Sequence, residues 1–133
     1  EWADHVRTSN EEILLSVMTE DTKAISQVSE IAALDGVDLV ALGPTDLSQT
    51  LGVTDPTDPK LRSEVERIAA EVKKAGNTKL QMPMNHPAFP LNASELVELG
   101  VGYTNVAPQP PAILMREMQN AVQNTHKTLG RKN

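Results

Sequence analysis

An α/β fold built on a parallel sheet is what this sequence predicts, and three observations predict it. Short apolar runs alternate with stretches of helical period along most of the chain. The runs end in turn-forming or helix-capping residues, as at Thr19-Glu20-Asp21-Thr22 and Gly43-Pro44-Thr45-Asp46. No hairpin signal such as Asn-Gly lies between two of the runs, so each pair must be joined by a crossover helix, which makes neighbouring strands parallel.

Each element follows from local sequence. Residues 1–12 read as a polar lead-in: the first residue is Glu1, the single Trp is Trp2, and Glu1 to Asn10 has no strand or helix period. A linker from something upstream is the expectation there. Ile13-Leu14-Leu15-Ser16-Val17-Met18 reads as a buried strand, after which Asp21 or Thr22 can cap a helix. Ile25, Val28, Ile31 and Ala32 fall on one face of that helix, and Asp35-Gly36 stops it. Val37 to Leu42 is the second strand, ended abruptly by Gly43-Pro44. After a loop holding Leu51, Gly52 and Val53, Asp58-Pro59 gives an N-cap with proline in the first turn. Leu61, Val65, Ile68 and Val72 then form a helical stripe as far as Gly76.

The pattern returns with Lys79 to Met82 as a third strand and a proline-rich loop from Pro83 to Pro90. Asn92 and Glu95 have capping-box spacing for a short helix through Leu96, Val97 and Leu99, ending at Gly100. Tyr103 to Ala107 is the last expected strand. Pro108 to Pro111 leads into a helix with Leu114, Met118, Ala121, Val122, Thr125 and Leu129 on one face, expected to pack on its own sheet or on another subunit. Residues 130–133 read as a frayed tail. Four strand-then-helix units make half of a (β/α)8 TIM-type barrel, and half a barrel leaves two strand edges and an inner face to be covered. An upstream half, a second copy of the chain or closure as a small open sheet would each cover them.

Composition narrows the function. The 133 residues, 39% apolar, suit one domain with a sizeable core. Net charge is −6 and the Lys and Arg residues are scattered, which argues against a nucleic-acid partner. Cysteine is absent, excluding disulfides and thiolate chemistry and fitting a reducing compartment. No apolar run approaches the ~20 residues of a membrane span, so the expectation is a cytoplasmic protein with no membrane partner. No Gly-rich phosphate loop points to a nucleotide cofactor. Met82, Met84, Met115 and Met118 read as core and interface filler. Glu64, Glu66, Arg67, Glu71, Lys73 and Lys74 read as a solvated helix face that includes an Arg67–Glu71 pair.

Glu20 and Asp46 each follow a predicted strand, and the strands are consecutive. In a parallel sheet both acids emerge on one rim, and strands about 4.8 Å apart let two carboxylates reach one cation. Mg²⁺ or Mn²⁺ takes one or two carboxylates and keeps its other positions for water and substrate oxygens. The same residues admit a plainer account, with Glu20 a solvated rim acid and Asp46 a turn former or the cap of a helix running from Leu47 to Leu51.

At these residues the sequence resembles the metal-dependent pyruvate aldolases of the HpcH/HpaI aldolase/citrate lyase family, in their C-terminal half. The likeness is carried by an apolar strand, Glu20, a helix ending in Asp35-Gly36-Val37-Asp38, and a strand closing in Gly43-Pro44-Thr45-Asp46-Leu47-Ser48, with Gly52 shortly after. Asp46 lies 26 residues after Glu20, as in the family pattern. The resemblance is tightest from Val17 to Gly52 and runs in outline over residues 13–129. It implies a (β/α)8 barrel that reversibly cleaves a 4-hydroxy-2-oxo acid to pyruvate, or an analogue, and an aldehyde. It also implies a divalent ion, Mg²⁺ or Mn²⁺ with Co²⁺ as a further option, held by Glu20 and Asp46. Gly43, Pro44, Thr45 and Asp46 would bind substrate, the N–H groups of Thr45 and Asp46 holding the pyruvate carboxylate. The family's catalytic His and Arg belong to the N-terminal half, so no catalytic residue is expected within this chain, which alone should be poorly active.

Departures accompany the likeness. Thr19 stands where the family more often has an aliphatic residue. His5 and His126 read as surface residues, while His86 lies at the correct rim in an unfamiliar setting. The exit Ala107-Pro108-Gln109-Pro110-Pro111 is unusually proline-rich. The expected partners are a small oxo acid and either the missing half-barrel or further subunits, most simply in a homo-oligomer. Two rivals stand beside this reading: a citryl- or malyl-type lyase acting on a CoA thioester, and a half-barrel interaction module without catalysis.

Overall fold

The computed structural model describes residues 2–105 and 110–130. Helix α1 (Trp2–Glu12) leads into β1 (Ser16–Met18), α2 (Thr22–Ser26), α3 (Val28–Ala32) and β2 (Leu39–Ala41). Then come α4 (Pro44–Thr50), α5 (Pro59–Ala75), β3 (Lys79–Gln81), α6 (Ala93–Leu99), β4 (Val101–Tyr103) and α7 (Pro110–Thr128). The four strands form one sheet in the order β1-β2-β3-β4, with every neighbouring pair parallel. A strand order that never reverses is that of a barrel wall, because each crossover then leaves its helix on the same face.

The core lies between the sheet and those helices. Val40 and Leu80 point into it, and α5 contributes Leu61, Val65, Ile68 and Val72, all nearly or fully inaccessible. Helix α5 packs on both α3 and β3. It is long because both ends are well made: the Asp58 carboxylate accepts from the Lys60 N–H at 2.7 Å, Pro59 occupies the first turn, and Gly76 leaves it at φ 83°. The capping box of α6 is formed in both directions, with Asn92 Oδ1 accepting from the Glu95 N–H and Glu95 Oε2 from the Asn92 N–H.

The opposite face of the sheet is more polar. Ser16 Oγ on β1 donates to Gln81 Oε1 on β3 at 2.9 Å, across the top of β2. Two strands apart is roughly 10 Å in the plane of the sheet, a gap that the extended glutamine side chain bridges. Register puts the small Ala41 beside Gln81, leaving the space through which they meet.

Several expectations change. The polar opening, read as having no helical period, is helical over Trp2–Glu12. The first strand is only Ser16–Met18 and is largely exposed rather than buried; Ile13, Leu14 and Leu15 are exposed too, and register with β2 begins at Ser16, the Leu15 carbonyl accepting from the Leu39 N–H at 3.0 Å. The single helix expected after Glu20 is two, broken at Gln27, and the Ile25 carbonyl there accepts from Arg67 Nη2 at 3.1 Å. Arg67 pairs with Glu64 at 2.7 Å rather than with Glu71, which instead pairs with Lys74. The last strand is Val101–Tyr103, ahead of the expected Tyr103 to Ala107, whose final two residues lie outside those described. Met82 is core and Met84 packs against it, but Met115 and Met118 are exposed with the rest of the apolar stripe of α7. Of the expected tail only Gly130 is among the described residues. No helix among them is long and apolar enough to cross a membrane.

Candidate metal centre

Glu20 and Asp46 are brought together by two chain features that begin at strand ends. Beyond β1, the Thr19 N–H donates to the Ala41 carbonyl at 2.8 Å, extending the pairing with β2 by one residue. Thr19 is completely buried, and its hydroxyl also reaches the Ala41 carbonyl, at 3.4 Å, so the polar atom at this apolar-type position is satisfied. Glu20 therefore leaves the sheet from a fixed point. Asp21 follows as the N-cap of α2, its Oδ1 accepting from the Ala24 N–H at 2.8 Å.

Asp46 is carried by α4, which starts immediately after β2. Gly43 is the N-cap, in an extended conformation with φ −90° and ψ 101°, and Pro44 fills the first helical position. Asp46 is thus in the first turn of α4, not its cap, where its charge suits the helix dipole. Leu47 anchors the helix in the core at 0% exposure, and its N–H closes the first helical bond to the Gly43 carbonyl. Proline has no N–H, so Thr45 and Asp46 present the first main-chain donors of the helix.

Gly43 is needed for space rather than for its backbone angles. A Cβ at this position would collide with Glu20 Oε2 and would lie 3.5 Å from Asp46 Oδ2. The two carboxylates therefore meet over the bare Cα of Gly43. Their proximity is also electrostatic: partial burial, then the charge of Asp46 and a hydrogen bond with it, then the charge of Asp21, push the Glu20 carboxyl above its ordinary 4.5. Two acids that repel each other across a glycine gap, with oxygen donors and no thiolate or imidazole, fit a hard divalent cation. Among the described residues no cluster of three or more His, Cys, Asp or Glu could hold a metal ion.

The histidines lie elsewhere. His86 sits half-buried in the loop after β3, where Nδ1 accepts from the Ala88 N–H at 3.2 Å and its backbone bridges to Phe89. His5 stacks at a tilt on Trp2 of α1, and His126 is on α7. The contact that the sequence reading missed is at Thr50, whose hydroxyl donates to the Glu20 carbonyl at 3.2 Å. Its position four residues after Asp46 was the available signal, since that spacing puts both on one helix face.

Known proteins resemble this chain in sequence and in fold. The HpcH/HpaI aldolase/citrate lyase family matches residues 1–107. The chain is 37% identical over 75 residues to a hydroxypyruvate/pyruvate aldolase of Sagittula stellata, covering 56% of this chain and 30% of that protein. It is 28% identical over 104 residues to a 4-hydroxy-2-oxo-heptane-1,7-dioate aldolase of Salmonella paratyphi C, covering 77% and 38%. Among solved structures, an HpcH/HpaI aldolase/citrate lyase family protein from Burkholderia cenocepacia superposes with a TM-score of 0.70 at 27% identity, over 92% of this chain and 46% of that one. The citrate synthase SbnG, at 23% identity and a TM-score of 0.72, shares the fold over 95% of this chain and 50% of its own. The chain thus spans about a third of the length of these curated relatives and about half of these solved chains. With the family pattern matched from the first residue to beyond the last strand, this chain belongs to the HpcH/HpaI aldolase/citrate lyase family.

Proposed function

We propose that the chain supplies the metal-binding half of a class II aldolase that reversibly cleaves a 4-hydroxy-2-oxo acid to pyruvate, or a close analogue, and an aldehyde. The observation that carries this reading is the meeting of Glu20 and Asp46 over Gly43, in a chain whose relatives are named as pyruvate and hydroxy-oxo-acid aldolases. The unreversed strand order and the match to half of each solved chain support residues 13–129 as the C-terminal half of a (β/α)8 barrel.

Glu20 and Asp46 would hold a divalent ion, Mg²⁺, Mn²⁺ or Co²⁺. Bound there, it would supply Lewis acidity toward the keto oxygen of the oxo acid as the carbon–carbon bond breaks. The chain's own share is binding and orientation. The Thr45 and Asp46 N–H groups face the start of α4 and would receive the substrate carboxylate. Gly43 keeps the floor between the acids open, and Pro44 holds the turn. The proton-transferring His and the charge-steadying Arg would come from the N-terminal half-barrel, in the same polypeptide or another, so the 133 residues alone should turn over poorly. A cytoplasmic homo-oligomer is the assembly this reading expects.

Isothermal titration of Mn²⁺ into the protein, with and without pyruvate and beside Asp46→Ala, tests the proposal. Binding that pyruvate strengthens and Asp46→Ala abolishes is the expected result. A folded chain with no affinity for Mn²⁺ would overturn it and favour a non-catalytic module. The family description also covers citrate lyases, and dependence of pyruvate's effect on a CoA thioester would move the reading to a citryl- or malyl-type lyase.

A further inference from the structure

We infer that Thr50 is a positioning residue that sets the separation of the two carboxylates. The inference deepens the metal-centre reading and rests on it. Thr50 is the last residue of α4, one turn beyond Asp46 on the same helix face. Its hydroxyl leaves the helix and donates to the main-chain carbonyl of Glu20 in a part-buried setting. The helix that carries the second acid therefore also grips the backbone that carries the first. The other hydroxyl on this part of the helix behaves differently, since Ser48 Oγ turns back to the Thr45 carbonyl at 2.7 Å.

The grip falls on the link between sheet and helix. Thr19 is tied to β2 and Asp21 caps α2, so the Glu20–Asp21 peptide is the joint between sheet and helix. Rotation of that joint would swing the Glu20 side chain across Gly43. Helix α4 is a firm bracket for the contact: Pro44 fixes its start, Leu47 is fully buried, and Lys60 Nζ donates to the Leu51 carbonyl at its end. Aligned in this way, the hydroxyl holds Glu20 at one distance from Asp46 before any ion arrives. Orienting contacts of this kind typically change metal affinity 10–100-fold when removed.

The test compares Thr50→Val, which keeps the shape and removes the donor, with Thr50→Ser, which keeps the donor. The Asp21 amide shares a peptide plane with the Glu20 carbonyl, so its ¹⁵N order parameter reads the grip without metal. In Thr50→Val that order parameter is expected to fall by about 0.2 from a rigid-backbone value, and Mn²⁺ affinity by about tenfold. Thr50→Ser should retain both. A lower melting temperature in Thr50→Val with order parameter and affinity unchanged would reduce Thr50 to a structural residue and overturn the inference. Should Thr50→Val not fold, Thr50→Ala is read in its place. A wild-type chain that binds no Mn²⁺ would sink the metal-centre reading, and the Asp21 order parameter would still decide for or against the grip.

Discussion

Replacing Gly43 by alanine separates the demands of the fold from those of the site. Gly43 has φ −90° and ψ 101°, a conformation open to any residue, so alanine strains no backbone there. Reduced freedom of the unfolded chain should even stabilise the variant by about 0.5 kcal/mol. The added Cβ, however, meets Glu20 Oε2 well inside van der Waals contact, and the carboxylate must retreat by on the order of 1 Å. A displaced ligand of that size should weaken Mn²⁺ binding about 10-fold to 100-fold, equivalent to about 1.4 to 2.7 kcal/mol. Calorimetric titration reads the affinity and urea unfolding reads the stability. A variant that binds Mn²⁺ as well as wild type would refute the reasoning, and so would one destabilised by several kcal/mol. A double-mutant cycle with Glu20→Ala adds a check, because Gly43→Ala should cost little affinity once Glu20 has gone.

Asp46→Asn should lower the midpoint of the Glu20 carboxyl toward 4.5 in a ¹³C titration, though partial burial, the largest single cause, will keep it from returning fully. The sign for stability follows: in native protein Glu20 keeps a proton that the unfolded chain releases near 4.5, so stability declines as pH rises through the window above that value. Asp46→Asn should flatten this decline, and an unchanged midpoint would show that the acids do not sense each other. Asn92→Ala removes half of a reciprocal cap and should cost about 1 kcal/mol in urea unfolding, with Mn²⁺ binding untouched. Ile68→Ala leaves a void in a fully buried position of α5 and should cost about 2–5 kcal/mol by the same measurement; a loss below 1 kcal/mol would mean that α5 is not packed as described.

The elements that could be read from the sequence are those with local punctuation. Asp58-Pro59 and Gly76 bracket α5, and Asn92 with Glu95 opens α6, because caps act within a single turn of chain. The juxtaposition of Glu20 and Asp46 was legible for a different reason: parallel topology sends the ends of consecutive strands to the same rim. What escaped was set by distant partners. Ile13, Leu14 and Leu15 look like strand residues, but β1 pairs with β2 only from Ser16, where Leu39 supplies the register partner. The break at Gln27 has no Gly or Pro to announce it and coincides with Arg67 taking the Ile25 carbonyl from more than a third of the described chain away. Gly43 reads as a turn residue in the sequence, yet what its missing side chain accommodates is a carboxylate from another strand end.

The unreversed strand order bears on how such a chain comes to be folded. Register partners are Ser16 with Leu39, Leu39 with Lys79, and Leu80 with Val101, so successive closures span about 20, 40 and 20 residues. Each costs nearly the same loop entropy, since that term grows only with the logarithm of length. No strand has to wait for a distant segment to arrive between its neighbours. Assembly can therefore start at α5 against α3 and β3, where the best-capped helix meets the most buried side chains, and zip outward in both directions. On that route the Glu20–Asp46 pairing is made when β1 joins β2, and late destabilisation at the β4 edge should leave it intact.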